Sequence, residues 1–78
     1  MFYTYVLKSK KDNKLYIGFS ANLKRRIEEH AKGQVLITRN RRPLDLIYYE
    51  ACCDKEKAVE REKSLKTGFG RAYLKKRI

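Results

Sequence analysis

The sequence predicts an α+β domain with the element order β-β-α-β-α-α. Two short runs rich in aromatic and β-branched residues, Phe2–Leu7 and Leu15–Gly18, flank a polar turn and read as a hairpin. A third such run, Leu44–Cys52, follows Pro43. The segments between and after these strands repeat their apolar residues at helical spacing.

Each element has a local cause. Phe2-Tyr-Thr-Tyr-Val-Leu7 suits a pleated, half-buried strand, and Lys10-Lys-Asp-Asn-Lys14 is turn-forming. Ser20 is a suitable N-cap for a helix over about Ala21 to Lys32, with Gly33 as its stop. On that helix Leu23, Ile27 and Ala31 share one face. Gln34 to Arg42 reads as an irregular segment, dense in arginine and closed by Pro43. The third strand centres on Leu46-Ile-Tyr-Tyr49, and Asp54 then caps a second helix from about Lys55 to Lys66. Thr67-Gly-Phe-Gly70 reads as a break, and Arg71 to Arg77 as a short basic helix.

Composition bounds the function. A chain of 78 residues has room for one core, so residues 1–78 are expected to form a single domain. The net charge of +11, from 20 Lys+Arg against 9 Asp+Glu, makes a strong positive field whose commonest partner is nucleic acid. No apolar run approaches the length of a membrane span, so a membrane partner is not expected. The N-terminus opens into strand-like sequence without a basic head, so no signal peptide is expected. Adjacent Cys52 and Cys53 point to opposite faces of a strand and suit packing in a reducing, cytoplasmic setting. Two cysteines and one histidine are too few for a zinc site.

A few polar residues stand out. Ala58, Val59 and Leu65 define the buried stripe of the second helix, and Glu62 points within roughly 15–20° of its centre. A carboxylate there loses water and needs a partner, either a metal ion or Lys66 one turn on. Arg26 and His30 lie one turn apart, at the edge and flank of the first helix's apolar stripe, where they can face a boundary between core and solvent. Arg26 can also be a solvated arginine, and His30 a helix-terminal cap. Tyr5 and Tyr16 stand on facing strands and can be packing residues. Tyr16 alternates against Leu15 and Ile17, so it points away from the face those two can pack on a helix. A phenol acting as a base near neutral pH needs a nearby cation or metal, and Arg26 can supply that charge.

These residues resemble an ordered set. Tyr5, Tyr16-Ile17-Gly18, Ser20, Asn22-Leu23, Arg26, His30 and Glu62 look like the GIY-YIG nuclease superfamily. The likeness is closest to small stand-alone bacterial members similar to the N-terminal endonuclease domain of the UvrC excision-repair nuclease. Thr38-Arg-Asn-Arg-Arg-Pro43, Leu46-Ile-Tyr-Tyr-Glu50 and Arg61-Glu62 with Leu65-Lys66-Thr-Gly68 extend it over essentially the whole chain. The resemblance implies a three-stranded antiparallel sheet flanked by helices. It also implies hydrolysis of a DNA phosphodiester with one divalent metal, Mg2+ or Mn2+. Carried over, Glu62 binds the metal, and Tyr16 is the general base or positions the attacking water. Tyr5 hydrogen-bonds in the same site, Arg26 holds the scissile phosphate, and His30 assists proton transfer.

The sequence departs from the pattern in places. Thr4-Tyr5-Val6 lacks the first motif's glycine, Phe19 stands where the repair nuclease has lysine, and Ile37 stands where some branches carry tyrosine. The homing-type C-terminal asparagine has no counterpart.

Arg39, Arg41 and Arg42 are expected to contact the DNA phosphate backbone, as are Lys66 and Arg71, the latter in a C-terminal cluster with Lys75, Lys76 and Arg77. Six neutralised phosphates would give log affinity a slope of about −5 against log salt. No module for reading base edges is evident, so a preference for structure or damage, of the repair and recombination type, is expected over a long recognition sequence. A monomer with one site is expected to nick, and cutting both strands would require a second subunit. The competing readings are a nucleic-acid-binding module of the same fold with weak turnover, and a basic RNA-associated structural protein. The last explains the charge but not a carboxylate on an apolar stripe.

Overall fold

A computed structural model describes all of residues 1–78. The elements are β1 (Phe2–Ser9), β2 (Leu15–Ser20), α1 (Leu23–Ala31), α2 (Leu36–Arg39), β3 (Leu44–Cys52), α3 (Lys55–Leu65) and α4 (Gly68–Lys75). The three strands form one antiparallel sheet in the order β2-β1-β3. The expected fold class is observed, with one added turn of helix at α2. No helix is long and apolar enough to cross a membrane.

The central strand β1 pairs Tyr5 with Gly18 and Leu7 with Tyr16 on one side, and Tyr5 with Tyr49 on the other. Directly paired residues share a face, so Tyr5, Leu7, Tyr16 and Gly18 look toward α1. Thr4 and Val6 look the other way, where the Thr4 hydroxyl donates to the carbonyl of Ala58 in α3 at 3.0 Å. On that second face Val6, Leu65 and Leu74 form the apolar core, with Ile17, Ile47, Tyr48 and Tyr73 packed around it. The first face is covered by a polar set, because the residues buried in α1 and α2 are His30 and Thr38.

Several local expectations change. Ser20 does not cap α1. Its hydroxyl closes a turn with the backbone of Asn22, and the Asn22 side chain accepts from the Arg25 N–H instead, so the helix starts at Leu23. The segment read as irregular contains α2. The break after the second helix is shorter than expected: it spans Lys66 and Thr67, and the Thr67 hydroxyl accepts from the Gly70 N–H as a cap, so α4 begins at Gly68 and not Arg71. Gly70 can enter a helix here because its missing side chain lets α4 lie against α3. A Cβ at 70 would meet the Ser64 carbonyl oxygen and the Leu65 Cα, both at 2.3 Å. The inner face of α1 is also rotated from the expected stripe. Ala31 is exposed, while Leu23, Arg26, Ile27 and His30 turn inward. Polar residues hold that face because Tyr5 and Thr38 satisfy them.

Candidate active site

Tyr5 determines where the site lies. Its ring crosses from the central strand over Gly18 of the edge strand β2. A Cβ at position 18 would meet the Tyr5 Cζ and Oη at 2.4 Å, so only glycine leaves this slot open. The phenol emerges at the β2 edge, fully buried, 2.8 Å from His30 Nε2. On the other side of the imidazole, Nδ1 lies 2.7 Å from the hydroxyl of Thr38, itself fully buried. Arg26 Nε donates to the Tyr5 oxygen over 3.4 Å, while its Nη1 is held by Glu29 at 3.1 Å. With Arg26 donating to that oxygen, the Tyr5 O–H is free to donate to Nε2, which leaves Nδ1–H to donate to Thr38.

The electrostatics agree with a neutral relay. Burial raises the Tyr5 pKa above its ordinary value, and the Arg26 hydrogen bond opposes this without reversing it. Burial also depresses His30, reinforced by the Arg26 charge. Arg26 is held charged chiefly by its hydrogen bond to Tyr5. His30 is 1% exposed and bonded at both ring nitrogens, so it lies in the interior and not at the expected boundary.

Tyr16 sits beside this relay. Its ring centroid is 5.3 Å from His30, edge-on, and 6.4 Å from Tyr5. Tyr16 is half-buried, and its hydroxyl makes no hydrogen bond within the protein. The structure thus brings together Tyr5, Tyr16, Arg26 and His30.

Glu62 comes from α3, on the opposite face. It makes no hydrogen bond to the other four, yet its charge contributes to raising the Tyr5 pKa. Its side chain is 21% exposed, and its carboxylate pairs with Lys66 Nζ at 3.5 Å. Nowhere do three or more His, Cys, Asp or Glu side chains gather to hold a metal, so an ion on Glu62 would draw most of its shell from water and phosphate. That donor set fits Mg2+ or Mn2+, hard ions that keep several waters and take the rest of their shell from phosphate. Lys66 is a flexible, half-exposed competitor that such an ion can displace.

Three residues of the site were given no role of their own from the sequence. Thr38 orients His30, Gly18 makes room for Tyr5, and Glu29 steers Arg26. The loop arginines are more engaged than their density suggests. Arg39 Nε donates to the Gly33 carbonyl, Arg42 donates to the carbonyls of Arg39 and Ala31, and Arg41 pairs with Asp12 at 3.3 Å. Each retains further N–H groups. Phe19, at the position where a lysine is absent, stacks on Phe2 with centroids 6.2 Å apart.

The protein-family model described as the GIY-YIG catalytic domain matches residues 1–77. A UPF0213 protein of Staphylococcus haemolyticus is 40% identical over 74 residues, covering 94% of this chain and 89% of that protein. A UPF0213 protein of Lactiplantibacillus plantarum is 42% identical over 77 residues, covering 95% and 75%. The solution structure of a UPF0213 protein from Bacillus halodurans superposes with a TM-score of 0.59 at 33% identity, over 95% of this chain and 82% of that one. A family match that runs nearly end to end, among relatives of the same small size and fold, means that the chain belongs to the GIY-YIG family.

Proposed function

We propose that the protein is a metal-dependent DNA endonuclease that hydrolyses phosphodiester bonds, acts in the cytoplasm, and prefers branched or damaged DNA. The family supports a nuclease domain, and its nucleases generally use divalent metals. The observation that carries the reading is the free hydroxyl of Tyr16 held against a fully bonded Tyr5–His30–Thr38 chain. A site whose supporting groups are saturated while one phenol stays open suits that phenol to meet a reactant.

Each residue then has a task. Tyr16 positions or deprotonates the attacking water. Arg26 stabilises the charge that grows on the phosphate, and its partner Glu29 keeps the guanidinium aimed. Tyr5 stays a neutral phenol and donor in the site. His30 holds Tyr5 in place and offers a path for a proton toward Thr38. Glu62 holds the metal, which when bound supplies a Lewis acid for the phosphate oxygens. Lys66, Arg71 and the remaining N–H groups of Arg39, Arg41 and Arg42 contact the backbone of the DNA.

The test is cleavage of labelled duplex, single-stranded and branched DNA with Mg2+ or Mn2+, comparing wild type with Glu62→Ala and Tyr16→Phe. Metal-dependent cutting that both substitutions abolish, with DNA binding retained, is the expected result. Tight binding without cutting on any substrate would sink the proposal. A second readout is a rise in melting temperature with Mn2+ that Glu62→Ala removes.

A further inference from the structure

An open cleft of about 1220 Å³ is lined by Tyr16 and Lys66 and floored by Ile17 and Ile47 on the face of the sheet that carries α3 and α4. One wall is the turn end of the β1–β2 hairpin, which supplies Lys8 and Lys14. The other is α4, which supplies Arg71 and Lys75. With Lys66, five of the eleven lining residues are cationic and none has an acidic side chain. Lys8, Lys14, Arg71 and Lys75 make no ion pair with any carboxylate. The chain's other cations include several that do, such as Arg26, Arg41 and Arg61.

Unpaired like charges around one concavity repel each other, and low-dielectric walls focus their field. A polyanion threaded between them removes the repulsion and releases its own condensed counterions. We propose that this cleft is the track for the nucleic-acid strand flanking the scissile phosphate, with Lys8 and Lys14 gripping its backbone from the hairpin and Arg71 and Lys75 from α4. The occupant is a strand and not an isolated phosphate, because the five cations come from separate elements, the β1–β2 hairpin, the end of α3 and α4, and not from one loop or helix end. Lys66 stands where track and site meet, which ties strand placement to the Glu62 carboxylate it pairs with. The assignment rests on the nuclease reading for its direction, since that reading places the scissile phosphate beside Tyr16.

The experiment is fluorescence anisotropy of a labelled 20-nucleotide single strand in EDTA, where nothing is cut, across a KCl series. The cleft variant is Lys14→Gln with Lys75→Gln. The control is Lys57→Gln with Lys63→Gln, which removes the same charge from exposed positions on α3 outside the cleft. The cleft variant is expected to bind at least about tenfold more weakly at low salt. The slope of log affinity against log salt should become shallower by about 1.4, two contacts at ~0.7 each. The control should keep the wild-type slope. A cleft variant indistinguishable from the control, or a wild type that binds no strand, overturns the track. Cleavage in Mg2+ is read separately. A wild type that cuts while binding ignores the cleft sinks the track alone, whereas one that binds through the cleft but never cuts sinks the nuclease reading alone.

Discussion

Tyr48, Glu50, Arg61 and Tyr73 on one side of the sheet are the same residue types as Tyr5, Tyr16, Arg26 and Glu62 at the β2 edge. Their states differ. In the first group the Tyr48 hydroxyl donates to Glu50 at 2.8 Å and lies 3.1 Å from the Tyr73 hydroxyl. Arg61 Nε donates to both Glu50 oxygens at 3.0 Å, and its guanidinium sits 4.3 Å above the Tyr73 ring. Arg77 covers that ring from 3.6 Å. Burial, with bonds to Tyr73 and Glu50, pushes the Tyr48 pKa far up. Every group there is answered by another, so the cluster's work is to fasten α3 and α4 to β3. At the β2 edge Tyr16 has an open hydroxyl and Glu62 only a displaceable lysine. Residue identity does not separate the clamp from the proposed site here; the difference lies in unfilled bonding capacity.

The sharpest way to break that contrast is to remove the open groups. Glu62→Ala and Tyr16→Phe are expected to take cleavage below detection while leaving the melting temperature close to wild type. A large drop in melting temperature would make them structural after all. Arg26→Ala should lower the cleavage rate by about 10²–10³-fold, the usual loss for one charge-stabilising donor.

The buried half of the site should behave like a core instead. Gly18→Ala forces a methyl into the Tyr5 ring and is expected to cost about 1–3 kcal/mol. Tyr5→Phe leaves His30 Nε2 without its partner and should cost a similar ~1–3 kcal/mol. Melting curves check both, at about 4–8 °C per kcal/mol for a domain of this size.

Acid sharpens the comparison further, because His30 belongs to the buried half. Its folded pKa is depressed below the ordinary 6.5 by burial first and by Arg26 second. Above about pH 6.5 both folded and unfolded chains hold it neutral, and its contribution is intact. As pH falls below that value the unfolded chain takes up a proton that the folded one resists, so stability declines toward the lower folded pKa. The expected result is a melting temperature that drops between about pH 7 and pH 5, with a flatter profile in His30→Gln. The smallest effect belongs to the clamp. Glu50→Gln, at a pair about one-third exposed, should cost less than about 1 kcal/mol and leave cleavage untouched.

Much of this was legible in the sequence because strands and helices announce their period. The order of elements followed from alternation and capping residues, and Glu62 stood out because a carboxylate on an apolar stripe breaks the pattern. Thr38 stood in a recognised stretch, but its role was not legible. It sits in a helix of one turn, too short to show a 3.6-residue repeat, and its role depends on a fold-back that brings it to His30. The loop arginines show a different limit. Composition counts their charge, but only the fold reveals that Arg39, Arg41 and Arg42 also hold backbone carbonyls and Asp12. Lys8 and Lys14 gained meaning only when the hairpin was set opposite α4.

The Tyr5 ring lying in the Gly18 slot has a consequence for how such a protein changes over generations. Selection for a foldable chain already guards Tyr5, Gly18, His30 and Thr38, whatever the chain does. Tyr16 and Glu62 have no such second guardian. A lineage released from the need to cut would therefore shed its open pair first and keep its buried quartet, carrying the outline of a nuclease long after the reaction had gone.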